Sequence, residues 1–177
     1  MRRSCMLLYT IGHSTRPFEE LAALLRENGV ARLLDVRTVP RSRHNPQFNS
    51  DALSAALPEQ GISYAHLPAL GGLRKSKPDS INQGWRNASF RGYADYMQTE
   101  AFTQALTALI SEGPVAAIMC AEAVPWRCHR SLIADALCVR GVEVRHIMGP
   151  GKTQAHALTR FAQVEGTRIT YPFSLEG

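Results

Sequence analysis

Short apolar runs rich in β-forming residues alternate with stretches whose apolar residues recur at helical spacing. This alternation constrains the fold more than any other feature of the chain. MLLYTI (Met6 to Ile11) is an unbroken apolar run. In PFEELAALLRENG, Phe18, Leu21, Leu24 and Leu25 share one helical face between Pro17 and Gly29. ARLLDVRTVP reads as a second strand, and a helix through DALSAALPEQ, capped by Asn49 or Ser50, closes at Gly61. ISYAHLPAL is a third strand, and a long helix spans about Tyr93 to Ile110. PVAAIMCAEA, apolar throughout, suits a central strand buried on both faces. A helix from Pro125 to about Arg140, the strand VEVRHIMG and a last helix from Thr153 to Val164 complete the alternation. The tail TRITYPF reads as an edge strand or a segment lying flat on the surface. Parallel strands need helical crossovers, so this order predicts a mostly parallel five-stranded sheet with helices on both faces. No linker or internal repeat divides residues 1–177, so one α/β domain is expected, with an inserted loop at 71–92 and a tail at 165–177.

With 45% hydrophobic and 20% charged residues, the chain has the balance of a globular protein with a real core. No segment approaches a membrane span. The basic, apolar start MRRSCMLLYTIGHS is broken by Thr10, Gly12 and His13 and has no small-residue cleavage site, so it reads as a first strand of a cytoplasmic protein. Four cysteines, without a CxxC pair, make neither a disulfide scaffold nor a standard zinc knuckle. No cofactor is expected and no metal ligand is assigned, with a zinc site at Cys120, Cys128 and His129 kept as a minor alternative. The net charge of +5 and pI near 9.3 favour an anionic partner, a small molecule or nucleotide first and nucleic acid second. No membrane partner is expected, and the sequence sets no oligomeric state.

In sheets of this kind ligands bind beyond the carboxyl ends of the strands. There the sequence collects its reactive residue types. The first strand ends in Gly12-His13-Ser14, and the second in Asp35-Val36-Arg37 with Pro40-Arg41-Ser42 beyond. The third ends near His66 and the fourth in Cys120 and Glu122. The opposite edge carries short glycine-marked connectors (ENGVA, EQGIS, SEGPV, RGVEV). A shared cleft at the first edge is the expectation.

The densest stretch is CAEAVPWRCHRSLIADAL, Cys120 to Leu137. A helix from Pro125 places Leu132, Ile133, Ala136 and Leu137 on one stripe, with His129 inward one turn earlier and Cys128 and Arg130 on either side. The helix start would offer N–H groups to an anion, gripped further by Arg130 or Arg127. Cys128, between Arg127 and His129, is a nucleophile with a lowered pKa or a small packed side chain. Cys120 is the second thiol. Glu122 and Asp35 are either acid/base partners of His129 or salt-bridge partners of Arg130 and Arg37. No cysteine is followed five residues later by arginine, which argues against a tyrosine-phosphatase loop. Neither GxGxxG nor a Walker A motif is present. The loop GGLRKSKPDSINQGWRNASFRGYADYM interleaves Arg74, Lys75, Lys77, Arg86 and Arg91 with Trp85, Phe90, Tyr93 and Tyr96. It could cover the cleft or stack on bases, or its aromatics could staple it to the body.

Five motifs, TIGHS (Thr10 to Ser14), DVR..P.S (Asp35 to Ser42), LGG (Leu70 to Gly72), WRN.SFRGYADYM (Trp85 to Met97) and C.E.....CHR (Cys120 to Arg130), occur in that order. In them the chain resembles the bacterial and archaeal family catalogued as domain of unknown function 488. The resemblance implies a single Rossmann-like, three-layer α/β domain. It points to His13, Ser14, Asp35, Arg37, Cys120, Glu122, Cys128, His129 and Arg130 as the site, and leaves the reaction open.

The leading expectation is a small enzyme, a Cys/His-dependent transferase or hydrolase, acting on a phosphate- or nucleotide-bearing substrate. His129, Cys128, Cys120, Glu122 and Asp35 carry the chemistry. His13, Ser14, Arg37, Ser42, Arg130, Trp85 and Arg91 hold the substrate. The rival is a non-catalytic nucleic-acid or nucleotide-binding module using the basic aromatic loop.

Overall fold

The computed structural model describes residues 6–113 and 115–174. Its strands are β1 (Leu7–Gly12), β2 (Arg32–Asp35), β3 (Ser63–His66), β4 (Ala116–Cys120), β5 (Glu143–Gly149), β6 (Lys152–Ala155), β7 (Gln163–Glu165) and β8 (Arg168–Thr170). Its helices are α1 (Phe18–Glu27), α2 (Ser50–Ala56), α3 (Ala88–Tyr96), α4 (Glu100–Ser111) and α5 (Arg130–Cys138). The main sheet has the order β3-β2-β4-β1-β5-β6, with β1 to β5 parallel and β6 antiparallel at one edge. The fold is α/β and Rossmann-like.

The strand order explains where the helices lie. From β1 the chain winds through β2 to β3 in one direction, then returns to β4 and passes over β1 to β5 in the other. Right-handed crossovers in opposite directions must cover opposite faces. Accordingly, α1 and α2 bury Leu21, Leu24, Leu25 and Leu53 on one face of the sheet with Ile11, Leu33 and Met119. On the other, α3, α4 and α5 bury Tyr93, Phe102, Leu106, Leu132 and Ile133 with Leu8, Leu34, Ile118 and Cys120. All five residues of β4 are buried, as its continuous apolar run requires. The winding reverses between the adjacent strands β1 and β4, whose ends are level at Gly12 and Cys120. This is the switch point at which such sheets bind ligands.

Three expectations about elements are corrected. The sheet has six strands: Thr153 to Val164 is not a helix but contains β6 and the start of a separate β7–β8 ribbon. Gly151, at φ +66°, turns the chain straight back, and His146 pairs with Gln154. The unpaired backbone edge of β5 takes the segment before its helical spacing can act. The single helix over 93–110 is two, α3 beginning at Ala88, within the expected loop. Asn87 caps Ser89 and Phe90, and Thr99 caps Phe102. The helix after Pro125 is a single tight turn, Pro125–Arg127, and the chain extends at Cys128 before α5 begins at Arg130.

Residues 71–87 have no regular structure but are tied down. Buried Asp95 accepts from Ser80 Oγ (2.5 Å), Asn82 Nδ2 (2.8 Å) and the Lys77 N–H (2.8 Å). The tail supplies β8 and buries Tyr171. No helix among the described residues is long and apolar enough to cross a membrane.

Candidate functional site

Two polar clusters occupy the carboxyl edge, one against each face of the sheet. The first is built on β4 and the start of α5. Cys120 is the last residue of β4, and the extended Cys128 brings its sulfur to 2.7 Å from Cys120 Sγ. Arg130, fully buried, places Nη1 2.7 Å from the same sulfur. Its other donors reach the carbonyls of Glu122 and Ala123 (3.1 Å to the latter), and its Nε has no partner. No carboxylate among the described residues pairs with this guanidinium. A buried, unpaired charge costs several kcal/mol, so an anion is needed beside it, and Cys120 Sγ is the group in place.

Electrostatics agree. Burial alone would raise the Cys120 thiol, but the Cys128 S–H, the charge of Arg130 and its N–H bond outweigh it and bring the thiol down from 9.0 to about 7. Cys128 moves well upward, first because its S–H is held by Cys120 and then because it is buried. The arrangement favours ionisation of Cys120 over Cys128, with Cys128 as the S–H donor.

His129 packs over this pair. Its Nε2 donates to Val36 O (2.9 Å), which leaves Nδ1, 3.4 Å from Cys128 Sγ, as an acceptor. Burial lowers its pKa to about 4, so the ring is neutral at pH 7. It lies against Tyr93, with ring centres 5.1 Å apart. Gly72 covers the other side so closely that a Cβ there would lie 2.6 Å from Nδ1. This close approach gives the Leu-Gly-Gly motif its physical reason. Gly12 has a parallel one: a Cβ would lie 1.8 Å from Glu122 O. His13 N–H and Ser14 N–H bond Cys120 O and Ala121 O, both at 2.9 Å, so the ends of β1 and β4 are locked together.

The second cluster faces α1 and α2. Asp35, fully buried, accepts from Arg37 Nε (2.9 Å), Arg37 Nη2 (2.6 Å) and Tyr64 OH (2.6 Å). Arg37 also donates to Phe48 O (2.7 Å) and to His13 Nε2 (3.3 Å). His13 therefore carries its proton on Nδ1, which donates to Ser14 O (2.8 Å), and its ring stacks on Phe48 at 4.5 Å. Burial lowers the His13 pKa and leaves it neutral. Burial lowers and Asp35 raises the Arg37 pKa, and the ion pair wins. Ser14 sits at φ +52°, a conformation few side chains adopt.

The structure thus places the expected residues in two groups rather than one cleft. Cys120, Cys128, His129 and Arg130 come together; Asp35, Arg37 and His13 come together on the opposite face. The link between them is the bond from His129 to Val36 O. Glu122 is exposed and its carboxylate caps Val124 N–H (3.1 Å), so a backbone carbonyl orients His129. Ser42 shapes a turn with Asn45 and Asn49. Trp85 packs among Phe90, Phe161 and Tyr171, and Arg91 donates to Trp85 O (3.2 and 3.1 Å). Tyr93 and Tyr96 bond the carbonyls of Leu70 and Ala69, and Arg74 stacks on Tyr96 at 3.7 Å. The loop's aromatics are thereby engaged within the chain.

A third constellation is absent from the sequence reading. Asp135, in α5, accepts from His156 Nε2 (2.7 Å), Tyr171 OH (2.8 Å) and Thr159 N–H (3.0 Å). His156 Nδ1 meets His146 Nε2 (2.9 Å), and His146 Nδ1 meets Thr10 Oγ1 (2.6 Å). Two histidines ten residues apart were the available signal, hidden because the second fell inside an expected helix. No group of three His, Cys, Asp or Glu side chains among the described residues is arranged to hold a metal ion.

Fold and site define a class: a Rossmann-like α/β protein with a buried cysteine–guanidinium pair beside its switch point. Residues 17–137 match the family model described as domain of unknown function DUF488, and the chain belongs to that family. No curated protein and no solved structure gives a significant match. The matched span includes Asp35, Arg37 and the thiol cluster, while His13 and the histidines at 146 and 156 lie outside it.

Proposed function

We propose that the protein is a small cytoplasmic enzyme in which Cys120 acts as a thiolate nucleophile on an anionic, phosphate- or nucleotide-bearing substrate. The observation that carries this reading is the fully buried Arg130 guanidinium, 2.7 Å from Cys120 Sγ and without a carboxylate partner. A thiolate ready at neutral pH is the form that attacks an electrophile. In the step, the Cys120 sulfur forms a bond to the electrophilic atom. The leaving group departs with its bonding electrons and takes the Cys128 S–H proton. Water then releases the transferred group, taking it as the hydroxyl derivative, while its remaining proton returns to Cys128 and Cys120 leaves as the thiolate. His129, neutral and fixed to Val36 O, packs its ring beside Cys128. The net charge of +5 and exposed Arg41, Arg43, Lys75 and Lys77 draw the anion to this edge.

The test is alkylation of Cys120 by iodoacetamide, followed by peptide mass mapping, with and without inorganic phosphate or a nucleoside monophosphate. The expected result is preferential labelling of Cys120 at neutral pH, slowed by the anion. Labelling that needs pH above 9, or that no anion slows, overturns the reading.

A further inference from the structure

We propose that a second site, separate from the thiol cluster, binds a planar heteroaromatic ligand carrying an anionic group, of the nucleoside monophosphate class. It is a cavity of about 320 Å³ whose walls include Trp85, Trp126, Ser131, His146, His156 and Arg160. That volume is at the small end for ligand sites, about 300 to 1,000 Å³. It suits one base and its sugar rather than a dinucleotide.

Four observations set the ligand chemistry. Two indoles and two imidazoles give the cavity flat, polarisable walls, on which a base stacks. Trp126 is 59% exposed and makes no ring contact with another aromatic among the described residues, so much of one large apolar wall is open to a ligand. Trp85 is packed among Phe90, Phe161 and Tyr171, which hold its ring in one orientation as a wall. Arg160 is exposed, and none of the lining residues is acidic, so the mouth favours an anion.

The histidines serve as a fixed wall. Asp135 accepts from His156, His156 accepts from His146, and His146 accepts from Thr10, so each ring nitrogen is engaged and each ring is held in one orientation. Burial pushes His146 down to about 3, which keeps it uncharged. The Asp135 carboxylate is sealed behind His156, Tyr171 and Thr159 and does not repel an anion at the mouth.

The chain has two tryptophans and both line this cavity, so intrinsic fluorescence reports on it directly. The experiment titrates the full chain with adenosine, guanosine, cytidine and uridine monophosphates up to millimolar concentration. At least one is expected to give a saturable change in emission. Arg160→Gln should weaken that monophosphate roughly tenfold while leaving the matching nucleoside unchanged, the effect of one lost charge-assisted contact. Trp85→Phe, which leaves a smaller stacking face, should weaken binding several-fold in a chain still folded at the titration temperature. Cys120→Ser should leave binding unaltered, which separates this site from the proposed thiol chemistry. The proposal is overturned if no monophosphate gives saturable quenching, if Arg160→Gln has no effect, or if Cys120→Ser abolishes binding.

Discussion

Replacing Arg130 with methionine isolates the interaction that sets the thiol site. Cys120 is brought from 9.0 to about 7 against the opposing effect of burial. A two-unit shift corresponds to about 2.7 kcal/mol favouring the thiolate. Burial works the other way, so the gross stabilisation from Cys128 and Arg130 is larger still. Without the guanidinium the Cys128 S–H still opposes burial, so the thiol should move up from about 7 toward its ordinary 9.0. A full return would take the thiolate fraction at pH 7 from about one half to about one part in a hundred, which sets roughly fiftyfold as the upper limit on the loss in alkylation rate. The assay is the iodoacetamide rate at Cys120 across pH 5 to 10, read by mass spectrometry. Comparing midpoints removes any difference in access. Cys128→Ser keeps Arg130 in place and guards against a misfolded arginine variant; its midpoint should rise by less than that of Arg130→Met. A midpoint near 9 in the unmodified protein, or one that Arg130→Met leaves in place, would refute the reasoning.

Asp35→Ala should destabilise by about 3 to 5 kcal/mol in chemical denaturation, because it leaves the buried Arg37 guanidinium without its carboxylate. Gly72→Ala should cost about 1 to 3 kcal/mol, because the added methyl group meets His129 Nδ1 at 2.6 Å and the ring is pinned between Tyr93 and Val36 O. Gly149→Ala, where a Cβ meets nothing within 4 Å, should stay within about 0.5 kcal/mol in the same chemical denaturation experiment. Acid should destabilise the fold before its carboxylates titrate. His129 and His146 have folded values of about 4 and about 3, below the ordinary 6.5, so the unfolded chain binds more protons below pH 6.5. Their contribution is complete above that pH and declines on acidification by up to about 1.4 kcal/mol per unit for each, until the folded values are reached. Urea midpoints that do not fall between pH 6.5 and 4.5 would contradict this.

Much of the architecture was legible because secondary structure is written in local period. Apolar runs and helical spacing located β1 to β5, α1 and α2 and the body of α5, but not where α5 begins. Turn chemistry was less visible. Asn87 and Thr99 divide one apolar stretch into α3 and α4, and the Gly151 turn overrode helical spacing in favour of the sheet edge. Among the site residues, Cys120, Cys128, His129 and Arg130 were recognisable from their crowding. Their roles were not, because burial and partners decide which thiol carries the charge.

By itself the sequence determined the βαβ order, and with it the edge at which reactive side chains collect, since strand alternation and right-handed crossovers need only local pattern and chirality. Tertiary structure alone decided which side of the sheet each side chain joined. It sent Asp35, Arg37 and His13 to the α1–α2 face and Cys120 and Arg130 to the other, and brought His156 to Asp135 across 21 positions. Such pairings depend on winding direction and on distances through space, to which spacing along the chain is blind.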